Sequence, residues 1–428
     1  MNSEKINHSI FLNIGLLFGV TYFMYFLLFP SLFFIDNILD VDLLSQSLIE
    51  ILYDKHNLIF LSYKSLYLSI IGLLFFIIGY YLLKNVQHIK KTNKSWSFRN
   101  ILIVLIVLFS GGILSKIRGV LNGAHLHFHF DSDLIQSNLV VFFTSINILQ
   151  VMALVLAAIG LVKAIKERNH RWKRIFTTIF VTLFILLFFA SYSFGSKFLT
   201  ISIVLSVIVI FSTLFTMRVQ IIILIITGLF AISTIFAKNY LEDISRGTSH
   251  DTTQEQLLNA IDSFVGRVNQ THILTEITLR DDDKVGFYPY LELVKVFLPA
   301  NDREQFSGEG NRFGHEYGFL SESDPNTGVG KTIIGDFYLS FGFFGIALGM
   351  MIVGFILKLI NLFAISSNTG LLFYSLILPI LLVRIEQGFV TLIISILYIL
   401  ILTLITNLLM LKSGIFNKIL NKFTPKSG

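Results

Sequence analysis

The sequence predicts an all-α integral membrane protein, a polytopic bundle of about ten transmembrane helices with one large external loop. Three observations predict it. Of 428 residues, 54% are hydrophobic and only 14% are charged, against about 25% charged in an average soluble domain. A soluble globule cannot hide that much apolar surface while showing water so few charges. The apolar residues fall in runs of span length, and a spanning helix needs about 20 of them. The basic residues gather between alternate runs, as orientation signals do.

The runs, in order, are 10–34, 58–83, 100–116, 138–162, 174–194, 198–216, 219–237, 332–361, 370–385 and 388–411. The first is too long for a cleaved signal, and no small-residue cleavage site follows it. Gly195, Ser196 and Lys197 mark a turn within 174–216. Loop 84–99 holds Lys84, Lys90, Lys91, Lys94 and Arg99 with no acid. Loop 163–174 holds Lys163, Lys166, Arg168, Arg171, Lys173 and Arg174 against Glu167 alone. The tail adds Lys412, Lys418, Lys422 and Lys426. With ten spans all three fall on one side, which is the cytoplasm by the positive-inside rule. Both termini are then cytoplasmic, and the acidic loop 35–57 faces out.

Three regions follow. Residues 1–237 form an N-terminal bundle of about seven helices. Residues 238–331 form the large extracytoplasmic loop, with 16 acidic against 9 basic residues. Residues 332–428 form the C-terminal helices and the basic tail. Within the loop, Leu257, Leu258, Ile261, Phe264, Val265 and Val268 recur at helical spacing and predict an amphipathic helix. Pro289 and Pro299 bracket a second apolar segment, 290–298. The absence of cysteine removes disulfides, thiolate nucleophiles and Cys-ligated metals. The net charge of +6 flanks the apolar runs, so nucleic acid is not a partner.

Several motifs carry possible chemistry. TGVGKT at 327–332 looks like a phosphate-binding loop, but Pro325 stands where that loop needs glycine, and a membrane span follows. Lys331 is still a candidate for an anionic lipid head group. His125, His127 and His129 alternate, so on a strand they share one face, which suits either Zn²⁺ or an interfacial loop. Asp40 and Asp42, like Asp131 and Asp133, form DxD pairs able to share a divalent cation. Asp281, Asp282 and Asp283, beside Arg280 and Lys284, read as a solvated turn. Charges near the mouth of the spans say more, since charge at membrane depth is costly and tends to be paired or functional. These are Arg384 and Glu386, Arg267, the group Arg312, His315 and Glu316, and Asp336, about five residues into its span. Arg118 lies at the outer end of another span.

The segment GVGKTIIGDFYLSFGFFGIALGMMIVG at 328–354 resembles the stretch after the large external loop in Wzy-type polysaccharide repeat-unit polymerases. The residues carrying the likeness are Gly335, Asp336, Phe337, Tyr338, Phe341, Gly342 and Gly345. Arg267 is similar to an arginine early in that loop. The resemblance covers 260–355 in detail and the rest in outline, with a GT-C-like layout. It implies a multi-pass protein of the bacterial inner membrane. The implied reaction transfers a growing glycan from undecaprenyl diphosphate to a new lipid-linked oligosaccharide, using no nucleotide and no metal. Membrane lipids are then partners, and a chain-length regulator is a further one the family allows. Developing negative charge on the leaving diphosphate suits Arg118, Arg267, Arg312 and Arg384, with Lys331 and Glu386 beside them. The acceptor hydroxyl needs a base, for which His315, Glu316 and Asp336 are available. Tyr288, Tyr290, Phe313 and Tyr317 suit either sugar stacking or interfacial anchoring.

Other readings stay open at this stage. A GT-C glycosyltransferase with a polyprenyl-phosphate sugar would need a DxD metal and lose activity to chelators. An O-antigen ligase shares the external-loop layout. A flippase or exporter would favour repeated bundles and charges through the full depth, whereas here the unusual residues gather at one face.

Overall fold

The computed structural model describes residues 11, 13–28, 31, 63–83, 96–121, 148–193, 197–216, 218–223, 225–226, 270–280, 284–287, 290, 309–316 and 330–423. Among them there is no strand. The helices are α1 (Ile14–Phe23, running on as a π turn Met24–Leu28), α2 (Tyr63–Tyr81), α3 (Phe98–Leu121), α4 (Ile148–Lys166), α5 (His170–Ser193), α6 (Lys197–Ser212), α7 (Thr271–Arg280), α8 (Glu309–Glu316), α9 (Ile333–Ser366), α10 (Asn368–Arg384) and α11 (Phe389–Phe423). Among the described residues, five helices are long and apolar enough to cross a membrane: α2, α3, α4, α9 and α11. Shorter apolar helices lie at Ile14–Leu28, Ser202–Ser212 and Asn368–Leu382.

The outward faces are apolar. Ile70, Leu74, Ile77 and Ile78 on α2, and Ile401, Leu404, Ile405 and Leu408 on α11, are all exposed. Contiguous apolar surface of that kind belongs against lipid, and the chain is an all-α integral membrane protein. Inside, α4 is buried along its length, from Val151 to Ala158 without a gap. Helices α2 and α9 pack backbone to backbone. A Cβ added to Gly79 would lie 2.0 Å from the Met351 carbonyl oxygen, and one on Gly354 would lie 2.2 Å from that of Phe76. Small residues let helix backbones meet where lipid supplies no hydrophobic drive. Tyr22 and Tyr374 are buried and donate to the Ser69 and Phe11 carbonyls at 2.8 and 2.7 Å, so their hydroxyls are satisfied.

The bundle has two chemically different ends. At one end the Lys163 ammonium donates to the Trp96 carbonyl. Lys166 reaches Thr213 Oγ1 at 3.3 Å, and Asn100 donates to the Met410 carbonyl at 2.9 Å. The basic segment 163–174 and the described part of loop 84–99 therefore share this end. At the other end the Lys64 ammonium donates to the Thr278 carbonyl at 3.2 Å. Gln270 N–H donates to the Tyr25 carbonyl at 3.0 Å, and Thr271 Oγ1 to that of Phe26 at 3.3 Å. These bonds seat α7, a piece of the large loop, on the tips of α1 and α2.

Candidate functional site: the rim around a doubled-back helix

The run 332–361, expected as one span, lies in a helix long and apolar enough to cross a membrane but is not continuous. Helix α9 breaks at Phe341 (φ −140°, ψ 18°) and Gly342 (φ 61°, ψ −140°). Its first segment, 333–340, doubles back along the second. A Cβ on Gly345 would lie 2.0 Å from the Phe337 carbonyl oxygen, and one on Gly349 would lie 2.5 Å from the Phe337 ring. In a straight helix, residues 337 and 349 would stand about 18 Å apart. The positive φ at Gly342 is what permits the reversal. Asp336 is thus not five residues deep in a continuous span. It sits in a short re-entrant segment at the rim.

The surroundings complete this segment's backbone bonding. Thr332 is its N-cap, with Oγ1 accepting from Gly335 N–H at 3.1 Å. At the other end Val285 and Gly286 N–H donate to the Leu339 and Ser340 carbonyls at 3.0 and 3.1 Å. The chain before it is tied to the α10–α11 turn: Thr332 and Ile333 N–H donate to the Glu386 and Ile385 carbonyls at 3.1 and 3.0 Å. Asp336 closes the arrangement. It is only 6% exposed, and its Oδ2 accepts from Phe389 N–H, the first residue of α11, at 2.9 Å. A carboxylate at a helix N-terminus meets both an orphan donor and the positive end of the dipole. Gly388, at φ 104°, leaves just enough room: a Cβ there would lie 2.6 Å from that Oδ2.

Around this hub lie aromatic rings and cations. Phe287 meets Phe341 edge-on at 4.7 Å, and Tyr290 lies parallel to Phe341 at 6.3 Å. The Tyr290 hydroxyl lies near Ser340, whose own hydroxyl donates to the Asp336 carbonyl at 2.8 Å. Burial pushes the Tyr290 pKa up to about 12, with Ser340 lowering it and the Asp336 charge raising it. Lys284 and Lys64 place their ammonium groups 4.2 and 5.5 Å from the centroid of the Tyr338 ring. Lys331 lies 5.8 Å from the Phe313 ring of α8. Arg280, at the end of α7, pairs with Glu276 at 3.0 Å and donates to the Glu316 carbonyl at 2.6 Å, capping α8.

The structure gathers several of the residues singled out in the sequence. Asp336, Lys331, His315, Glu316, Arg384 and Glu386 all stand at this end. His315 is half-buried and Glu316 exposed at the end of α8, while half-buried Arg384 is the last residue of α10. Arg118 on α3 and Arg312 on α8 have side chains outside the described residues. Arg267, Asp40, Asp42, Asp131, Asp133, the three alternating histidines, Asp281–Asp283, Tyr288 and Tyr317 lie wholly outside them, as does the amphipathic stretch 257–268. Among the described residues, no group of three or more His, Asp and Glu converges as a metal site. Thr332 of the TGVGKT motif is a helix cap. Of the turn read at 280–284, Lys284 is exposed and lies over the ring of Tyr338. Lys64, Lys284 and Gly388 were not candidates in the sequence. The only signal for Lys64 was a cation at the mouth of an apolar run.

Residues 320–398 match the model of a family described as "Putative O-antigen polymerase". The match covers the re-entrant segment, α10 and the α10–α11 turn, and it contains every residue that carried the sequence resemblance to Wzy-type polymerases except Arg267. It supports that family for this chain. No curated protein and no solved structure matches.

Proposed function

We propose that this chain, similar to O-antigen polymerases over 320–398, polymerises undecaprenyl-diphosphate-linked oligosaccharide repeat units on the outer face of the bacterial inner membrane. The observation that carries the reading is the coincidence of the family match with the rim around Asp336, at the end of the bundle opposite the basic loops. In this reading the bundle has about ten spans in a GT-C-like layout. Both termini are cytoplasmic, and 238–331 is extracytoplasmic.

The acceptor hydroxyl, at the non-reducing end of a new lipid-linked unit, attacks the anomeric carbon of the growing glycan. The bond from that carbon to the phosphate oxygen breaks, and undecaprenyl diphosphate leaves with the electron pair. The hydroxyl proton passes to a base, for which His315 and Glu316 on α8 are the accessible groups. Asp336, with Oδ2 held by Phe389 N–H, positions the rim instead of taking that proton. Arg118, Arg267, Arg312, Arg384 and Lys331 supply the positive field for the leaving group.

The test is turnover of a purified lipid-linked repeat unit by the purified protein, with product laddering followed on a gel with and without EDTA. A ladder that EDTA leaves unchanged is expected. No ladder from the cognate unit would overturn the polymerase reading. Arg267→Ala and Arg384→Ala should each abolish laddering in folded protein, and wild-type ladders from both would remove those two assignments.

A further inference from the structure

We propose that the peptide between Lys331 and Thr332 is a two-position switch, strained in the described state, that ties the α10–α11 turn to the re-entrant segment or releases it. The role of the switch in turnover rests on the polymerase reading, and the switch itself rests on the backbone.

Thr332 has φ 61° and ψ 158°. Glycine adopts that conformation freely, whereas a β-branched residue adopts it only under strain. Among the described residues of this end, the other positive φ values fall on glycines: Gly286, Gly342 and Gly388. At 332 the strain is imposed from outside. The residue is fully buried. Just before it, Gly330 lies so close to the turn that an added Cβ would stand 2.1 Å from the Glu386 carbonyl oxygen, so the chain cannot slide aside to relax. Thr332 N–H donates to that same carbonyl at 3.1 Å.

A half-turn of this peptide plane relieves the strain without moving the re-entrant segment. It takes φ at Thr332 from 61° to about −120° and leaves ψ at 158°, an ordinary extended conformation. The compensating rotation falls on ψ of Lys331. Atoms beyond the Thr332 Cα keep their places. The Oγ1 cap on Gly335 N–H, the bond from Ile333 N–H to the Ile385 carbonyl and the bond from Phe389 N–H to Asp336 therefore persist. Only the bond from Thr332 N–H to Glu386 is lost. One backbone hydrogen bond thus stands against the strain of one residue, two quantities of similar size. In the flipped position the Lys331 and Glu386 carbonyls face each other and repel, which keeps that position the minor one. The Thr332 N–H then points to the side the Lys331 carbonyl faces in the described state. An acceptor oxygen arriving on that side binds the flipped position better and shifts the balance toward it. Under the polymerase reading that oxygen belongs to the lipid-linked substrate. Its arrival would loosen the turn that bears Glu386 and follows Arg384.

The experiment labels lysine with ¹³C at the carbonyl and threonine with ¹⁵N, and reads the full chain in nanodiscs by NMR. The dipeptide Lys-Thr occurs at 91–92 and 331–332 only, so a Thr92→Ser background leaves the Thr332 amide as the one signal. Relaxation dispersion should show exchange between two positions on the microsecond-to-millisecond scale, and the purified lipid-linked repeat unit should raise the minor population. Thr332→Gly removes the strain and should hold the described position. Its unfolding midpoint should lie above that of Thr332→Ala, which loses the same hydroxyl but keeps the strain. Its laddering should slow about tenfold, the shift that relief of one strained residue gives a two-position equilibrium. Thr332→Ser keeps the cap and the strain and should ladder like wild type. A Thr332 amide free of exchange with and without the repeat unit would overturn the switch, and so would equal midpoints for the glycine and alanine variants. Laddering of Thr332→Gly at the wild-type rate would overturn its part in turnover. A wild type whose Thr332 amide exchanges but which never ladders sinks the polymerase reading and supports the switch.

Discussion

Replacing Gly388 by alanine should damage the protein mainly through Asp336, and the size of the effect can be worked from the rim. Two costs are involved. At φ 104° a residue with a side chain is strained by about 1–3 kcal/mol. The new Cβ would also lie 2.6 Å from Asp336 Oδ2, so the carboxylate must move off Phe389 N–H. Asp336→Ala removes the same bond directly. A buried hydrogen bond to a charged group is worth about 1.5–3 kcal/mol, and the helix N-terminus adds up to ~2 kcal/mol in a partly buried setting. Once Asp336 is alanine, however, the methyl group at 388 has no carboxylate to displace, and only the backbone strain remains. The double variant should therefore be less destabilised than the sum of the singles, by about 1.5–3 kcal/mol. The assay is SDS-driven unfolding in mixed micelles, read by tryptophan fluorescence. Trp172 stacks on Phe98 at 5.4 Å, and Trp96, two residues before Phe98, is buried. Both report from the opposite end of the bundle and so sense global unfolding. Additivity within about 0.5 kcal/mol would refute the steric coupling of Gly388 to Asp336.

Two further outcomes follow from the same geometry. Gly342→Ala should cost about 1–3 kcal/mol through its positive φ and reduce laddering more than stability accounts for; unchanged laddering and midpoint would show the reversal is not required. For Tyr290, burial raises the folded-state pKa to about 12 from the ordinary tyrosine value of 10.0, so folded protein holds the proton more tightly, and stability should fall as pH rises from about 10 to 12. Tyr290→Phe should flatten that part of the stability curve, and an unaltered slope would place the hydroxyl in water.

Hydropathy made most of the bundle legible. The runs 370–385 and 388–411 correspond to α10 and α11, and the turn between them, 385–388, falls beside Arg384 and Glu386, where the charges interrupt the apolar pattern. Asp336 was legible for the same reason, as an acid in an apolar run. The reversal at Phe341–Gly342 was not. SFGFFG is as apolar as the span it opens, and composition carries no dihedral angle. The dihedrals of Phe341 and Gly342 and the closeness of Phe337 to Gly345 and Gly349 show that the chain turns. The Lys64–Lys284 pair was illegible for a different reason. Its members lie far apart in sequence, and beside three aspartates Lys284 has the composition of an ordinary solvated turn.

The reversal also changes how the large loop relates to the bundle. A short helix that ends near membrane depth exposes carbonyl groups that lipid cannot satisfy, and such backbone survives only where protein covers it. Here the cover is the loop itself: Val285 and Gly286 donate to the carbonyls of 339 and 340, and Ile277 of α7 lies against Gly335, within 2.7 Å of a Cβ placed there. In return, the rim holds the loop, through Lys64 on Thr278 and through the α1 tip on Gln270 and Thr271. The described parts of the loop are therefore structural members of the bundle's end and not a cap laid over a finished one. That arrangement lets charged side chains from the loop stand beside the first turns of membrane helices, where field strength is greatest.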